Sequence, residues 1–150
     1  MTKPKRFTLR VYGVLFNKGK LLLSHESYQG KSFTKFPGGG LNLGESVLEG
    51  LVREFKEEMS IDIEPSYLFH ITESLQISAF HPDEQVLAIY YLVQSDQVDQ
   101  IPTGRKKEEL KGTKEVFEWV SINHFDKAIL TFESDREAAS KLLDKQALKF

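Results

Sequence analysis

The sequence predicts a mixed α and β fold, a sheet covered by helices. Three observations predict it. Strand-like runs rich in aromatic and branched residues fill the first 36 positions, an amphipathic stretch over 45–59 follows, and further strand-like runs lead to a helical C-terminal segment.

The run over 7–16 is rich in aromatic and branched residues and suits a strand, and Asn17-Lys18-Gly19 supplies turn chemistry before Leu21-Leu22-Leu23. Residues 33–36 read as a short strand, closed by Pro37 and three glycines, and 45–59 as a helix. Strand-like stretches come next at 61–63, 67–72 and 75–80, then a turn at His81-Pro82-Asp83 and the apolar run 86–93. Residues 94–114 form a polar connection with Pro102, Gly104 and Gly112, long enough for a functional loop. A short strand over 116–120 surrounds the only tryptophan, Trp119. Ser134 and Glu137 have capping-box spacing and open a helix through Ala138, Leu142, Leu143 and Ala147.

At 150 residues, the chain fits one domain spanning 1–150, large enough to bury a core without staples. A net charge of −2 gives no electrostatic reason to expect nucleic acid or an acidic membrane as partner. The absence of cysteine excludes disulfides, thiolate metal sites and a Cys nucleophile, and suits a reducing cytoplasm. The start, MTKPKRFTLR, lacks the apolar core of a signal peptide. No apolar run approaches the ~20 residues of a membrane span. A cytoplasmic location is expected.

The chemistry concentrates in the predicted helix, where Arg53, Glu54, Glu57 and Glu58 fall within six positions. On a wheel with Glu54 at zero, Leu48, Leu51, Val52, Phe55 and Met59 occupy an arc from about 60° to about 160°. Glu58 falls near about 40° and Glu57 near about 300°, so the three carboxylates flank the buried arc together. Like charges four apart repel, and the C-terminal end of a helix disfavours negative charge, so stability alone does not select this arrangement. Arg53, one turn before Glu57, is placed to orient it, and Gly38-Gly39-Gly40 ahead of the helix leaves room for a ligand. Clustered carboxylate oxygens suit hard cations such as Mg²⁺ or Mn²⁺, which in turn bind phosphate oxygens.

Residues 39–61 closely resemble the Nudix box, Gly-x5-Glu-x7-Arg-Glu-U-x-Glu-Glu-x-Gly-U, with U a large aliphatic residue. Gly39, Glu45, Arg53, Glu54, Glu57, Glu58 and Ile61 match at the box spacing. Phe55 stands at an aliphatic position, and Ser60 replaces the glycine after the helix, at some loss of ease in the C-cap. The resemblance implies a loop–helix–loop on an α/β/α sandwich and hydrolysis of a nucleoside diphosphate linked to another group. Glu54, Glu57 and Glu58, with the Gly38 carbonyl, are the implied ligands of Mg²⁺ or Mn²⁺. Arg53 is the implied orienter of the glutamates, Glu45 a structural residue near the helix start, and Gly50 the site of a close helix–sheet contact. An activated water attacks one phosphorus and a carboxylate takes its proton.

Glu57 or Glu58 could combine ligand and base duties, and the candidates outside the box are Glu84, Glu108, Glu109 and Glu115. Glu115 is favoured because it precedes the 116–120 strand, on the loop expected to face the site. Arg105-Lys106-Lys107 reads first as a solvated basic loop. His25, His70, His81 and His124 share no ligand spacing. Lys35 and Phe36, beside the glycines, are expected at the cleft, whereas Phe80, Tyr90 and Tyr91 read as core. The substrate is open among a nucleotide sugar, an ADP-ribose-like compound, a dinucleotide and a nucleoside triphosphate. No proline at 74–77 and no tyrosine at 78–80 supplies a further subfamily signature. The alternative is a silent Nudix-like nucleotide sensor or interaction module, and a homodimer is compatible with the family.

Overall fold

A computed structural model describes residues 3–103 and 115–144. The chain opens with β1 (Arg6–Asn17) and β2 (Lys20–Tyr28), joined through Lys18 and Gly19, both at positive φ. That pair of left-handed residues matches the right-handed twist of the strands it connects. Gln29 and Gly30 repeat the device before β3 (Lys31–Lys35). The glycines themselves form a strand, β4 (Gly38–Gly40), hydrogen-bonded to β1. There follow α1 (Val47–Met59), β5 (Glu64–Ile71), β6 (Glu84–Gln94), β7 (Glu115–Ser121) and α2 (Glu133–Asp144).

The sheet is mixed. β1 runs parallel to β6, from Arg6 opposite Glu84 to Leu15 opposite Val93, and every other named pairing is antiparallel. β4, β1, β6 and β5 form one wing, and β3, β2 and β7 the other, with the end of β1 reaching β2. Side chains alternate along β1, so Val11 and Leu15 face α1 with Leu51, Phe55 and Met59, while Tyr12 and Val14 face α2 with Ala138 and Leu142. Burying one such side chain contributes about 1.5–3 kcal/mol. Gly13 admits the Phe55 ring, which a Cβ would approach to 2.8 Å.

Several sequence expectations need correction. The helix starts at Val47, after a capping box of Ser46 and Glu49, because Glu45 is occupied by Arg53 and the Asn42 amide. Residues 61–63 are an extended link whose Ile61 and Ile63 pack beneath α1; β5 begins only at Glu64. Residues 75–80 form no strand beyond a single pairing of Ile77 with Gln85. There the Ser78 hydroxyl accepts from the Phe80 and His81 amides, a local turn that competes with sheet pairing. The Ser134–Glu137 capping box does not form. The helix begins at Glu133, and Glu137 instead accepts from the amides of Glu73 and Ser74 and meets His70 at 2.6 Å. Gly50 contacts Leu41 and Glu45 rather than the sheet. Ala147 and residues 104–114 lie outside the described residues. No described helix is long and apolar enough to cross a membrane.

Candidate active site

The last two turns of α1 face the glycine strand, and Arg53 clamps the two together. Its Nε and Nη2 donate to the two oxygens of Glu45 at 2.8 and 2.7 Å, and Nη2 also donates to the Gly40 carbonyl at 2.9 Å. Nη1 reaches Glu54 at 3.1 Å and Glu57 at 3.2 Å. A planar guanidinium can serve such a fork and an ammonium cannot. The Arg53 hydrogen bonds, followed by the Asn42 amide, hold the Glu45 carboxyl down at about 2. Glu54 rests on Gly39 so closely that a Cβ there would stand 2.6 Å from its carboxylate. Gly38, at φ 145°, adopts a conformation that side chains avoid, and a Cβ would strike the Val11 carbonyl and Tyr12.

The opposite wall comes from the other wing of the sheet. Glu26 on β2 lies directly across from Glu115 on β7, a like-charge pair that weakens a ladder. Ser24 Oγ stands 3.0 Å from Glu26 and 2.8 Å from Glu115, and its single proton serves one of them. Burial first, then Glu26, pushes Glu115 up to about 7. Burial is the strongest single influence on Glu26 too, but the Lys35 ammonium 2.7 Å away and the hydrogen bonds to Glu115 and Ser24 together outweigh it and keep that carboxyl low. Glu58 completes the group from α1: one oxygen each of Glu26, Glu58 and Glu115 lies within 4.8 Å of the others. Burial drives Glu58 up to about 9; Glu115, Glu26 and Glu54 add to the rise while Lys35 opposes it.

These residues fit the divalent ion that the box resemblance implies. The donors are all oxygens, three carboxylates converge from a helix and two strands, and Glu58 Oε2 is buried without a hydrogen-bond partner. Such an oxygen is costly to bury unless something positive meets it.

Of the residues expected from the sequence, Gly38, Gly39, Gly40, Glu45, Arg53, Glu54, Glu58 and Glu115 assemble at this corner. Glu57 is the outlier: its side chain is 60% exposed and turned toward Arg53. Glu84 starts β6 and faces Arg6 at 3.8 Å, at the cleft wall but away from the carboxylate group. Glu108, Glu109 and Arg105-Lys106-Lys107 lie outside the described residues. Lys35 lines the cleft, whereas Phe36 is wholly buried in the core. Tyr90 and Tyr91 pack in the core as expected, but Phe80 lines the cleft. Glu26, Ser24 and Arg10 were missed. The available signal for the first two was Ser24-x-Glu26 in a strand, two polar residues on one face after an apolar run.

Beside the carboxylates opens a cleft of about 420 Å³. Arg10, Tyr12 and Lys35 form one group on its lining, and Tyr28, Phe33, Phe80 and Phe132 another. The four rings pack on each other, Tyr28–Phe80 at 5.2 Å and Phe33–Phe132 at 5.3 Å between centroids.

Fold and site together define a class, an α/β/α sandwich with an acidic cluster where an arginine-clamped helix meets the sheet. The NUDIX domain family model matches residues 6–143, and the chain belongs to that family. It is 33% identical over 106 residues to the RNA pyrophosphohydrolase of Campylobacter jejuni, covering 63% of this chain and 67% of that one. Among solved structures, a NUDIX hydrolase from Nitrosomonas europaea superposes with a TM-score of 0.70 at 21% identity, covering 92% of this chain and 89% of that chain. An ADP-ribose pyrophosphatase from Streptococcus suis gives 0.62 at 20% identity, covering 95% of this chain and 92% of that one. At such identities the likeness speaks for the fold alone.

Proposed function

We propose that this chain hydrolyses the diphosphate linkage of a nucleoside diphosphate derivative, using Mg²⁺ or Mn²⁺. The observation that carries the reading is the convergence of Glu58, Glu26 and Glu115, with one Glu58 oxygen buried and unpartnered. Glu54, Glu58 and the Gly38 carbonyl, with Glu26 opposite, are the residues that would hold the ion, and Glu57 would join them only by turning away from Arg53. When bound, a divalent ion there supplies charge neutralisation for the diphosphate and acidifies a water.

The remaining work belongs to the chain's own groups. Arg53 keeps Glu54 and Glu57 in register with the glycine strand. Glu115, on the wall opposite the box helix, accepts the proton of the attacking water. Arg10 and Lys35 place positive charge on the cleft wall, suited to a diphosphate. The aromatic group on the lining offers ring faces to a nucleobase. Nucleotide sugars, ADP-ribose-like compounds, dinucleotides and nucleoside triphosphates all present this combination. A second reading is the 5′ end of an RNA, favoured by the name of the Campylobacter relative.

The test is phosphate or nucleotide release from a panel of these compounds and a 5′-triphosphorylated RNA. Wild type is assayed beside Glu58→Gln and Glu115→Gln with Mg²⁺ or Mn²⁺. The expected result is turnover of one class that requires the ion and falls at least about 100-fold in both variants. Tight nucleotide binding without turnover of any compound would replace the hydrolase reading with that of a silent nucleotide sensor.

A further inference from the structure

Lys35 is an unusual residue to find at the centre of this corner. Its side chain is 4% exposed, and the ordinary fate of a buried lysine is to lose its proton or find full compensation. Compensation is what the structure provides. Nζ meets Glu26 at 2.7 Å, the Gly38 carbonyl at 3.2 Å and the Phe36 carbonyl at 3.3 Å, so three donors find three acceptors. The Tyr12 ring face lies 5.4 Å away on another side. The resulting environment holds the ammonium firmly charged, with Glu26 and then Glu58 supplying the negative potential against the effect of burial.

Two of those acceptors belong to the site itself. Gly38 offers the carbonyl expected to face a divalent ion, and Glu26 belongs to the three-carboxylate group with Glu58 and Glu115. A monovalent ammonium and a divalent ion about 3 Å from one carbonyl oxygen would repel each other too strongly to share it at an interior dielectric. A lysine, unlike an arginine fork, is a point charge on a flexible stem and can withdraw. The cleft beside it gives room to do so.

We propose that the Lys35 ammonium is the resident cation of this site in the metal-free protein, and that a divalent ion displaces it from the Gly38 carbonyl and Glu26. The inference rests on the metal-dependent reading above. Lys35 therefore stabilises the empty site and opposes its loading, and the net metal affinity reflects that competition.

The test measures Mg²⁺ binding by calorimetry and melting temperature with and without Mg²⁺, for wild type, Lys35→Met, Lys35→Arg and Glu58→Gln. Removing one like charge next to the ion is expected to tighten Mg²⁺ binding by roughly tenfold in Lys35→Met. That variant melts lower than wild type without the ion, and the gap narrows at saturation; Lys35→Arg stays near wild-type affinity. Unchanged or weaker binding in a folded Lys35→Met protein overturns the proposal and makes Lys35 a scaffold for the site. Wild type alone supplies a second measurement, should that variant fail to fold. With ¹⁵N-labelled lysine, the Nζ resonance of Lys35 should move as Mg²⁺ is added, with the midpoint at the calorimetric Kd; a resonance that stays put at saturation overturns displacement. Absence of any Mg²⁺ binding to wild type would remove the metal reading together with this one, whereas binding lost in Glu58→Gln but indifferent to Lys35 removes this one alone.

Discussion

Placing a single methyl group at Gly39 separates the site's chemistry from the fold's stability. A Cβ there would lie 2.6 Å from Cδ and both oxygens of Glu54, whereas ordinary contact begins near 3.4 Å. The carboxylate must therefore retreat by about 0.8 Å, and a misplacement of about 1 Å can cost on the order of 100-fold in rate. Gly39 has no positive φ, so backbone strain does not enter. Gly13 supplies the matched control: its Cβ would meet the Phe55 ring at 2.8 Å, in the core beneath α1 and away from the carboxylates. Both substitutions overpack, at about 1–3 kcal/mol, which for a chain of this size lowers Tm by roughly 2–10 °C. Steady-state hydrolysis and Mn²⁺ titration are compared at a temperature where both variants are folded. Gly39→Ala is expected to lose about 100-fold in kcat/KM and to bind Mn²⁺ more weakly, while Gly13→Ala keeps activity within about threefold, as expected of a change that touches no reacting group. Wild-type turnover and affinity in Gly39→Ala would refute the placement of Glu54 in the ion site.

Three further outcomes follow from particular contacts. Arg53→Lys retains the charge but not the fork to Glu45 and Gly40; kcat should fall about 10- to 100-fold, measured in the same hydrolysis assay. Glu137 is buried enough for desolvation to raise its pKa, yet the Ser74 hydroxyl, the Glu73 and Ser74 amides and His70 together hold it at about 2, below its ordinary 4.5. Because the folded value is the lower one, its stabilisation is fully present above pH 4.5 and is lost as pH falls toward 2. Urea unfolding of Glu137→Gln should therefore show a deficit of about 1–3 kcal/mol at pH 7 that shrinks steadily below the unfolded pKa; a deficit independent of pH would contradict the assignment. Ser60 caps α1 at φ 58°, a left-handed conformation that costs a non-glycine residue. Ser60→Gly should raise stability by about 0.5–1 kcal/mol, read as a small rise in Tm with activity unchanged.

What was legible in the sequence is what depends on local spacing. Arg53, Glu54 and Glu58 belong to one helix and Gly38–Gly40 to the segment just before it, so their meeting follows from helical periodicity and a short loop. The opposite wall was only half legible. Glu115 could be placed from its position ahead of a strand, but its meeting with Glu26 depends on a β2–β7 pairing about ninety residues apart in sequence. Lys35 reaches the site only through the β2–β3 hairpin, whose Gln29-Gly30 turn carries a weaker signal than the one at Gly19. The strand expected over 75–80 failed for a local reason, the Ser78 turn. The capping box expected at Ser134 failed for a distant one, since Glu137 finds better partners on β5 and the loop after it. The box that does form, Ser46 with Glu49, was in plain view but was masked by reading Glu45 as the helix start.

The placement of broken rules is itself informative, because a sequence consistent with its fold tends to break them where function requires it. Glu26 opposite Glu115 sets like charges across a ladder, Lys35 buries an ammonium, Glu58 buries an unmet oxygen, and Gly38 takes a backbone shape that side chains avoid. All four lie at one corner, where α1 meets both wings of the sheet. The contrast is the α2 side of the molecule, where Tyr90 donates to Asp135 and His70 meets Glu137, each carboxylate finding a donor. Among the described residues, Asp135 Oδ2 is the one buried oxygen there without a partner, on a carboxyl that burial raises to about 6 and that Tyr90 partly restrains. Repulsion at the α1 corner is not spread over the surface, where solvent would screen it; it is confined where burial makes it strongest. Three carboxyl groups held this close ionise together only when positive charge joins them, and burial already pushes Glu58 and Glu115 toward their protonated forms. Lys35 answers part of that demand through Glu26, and a divalent ion would have to take over that same carboxylate while also reaching Glu58.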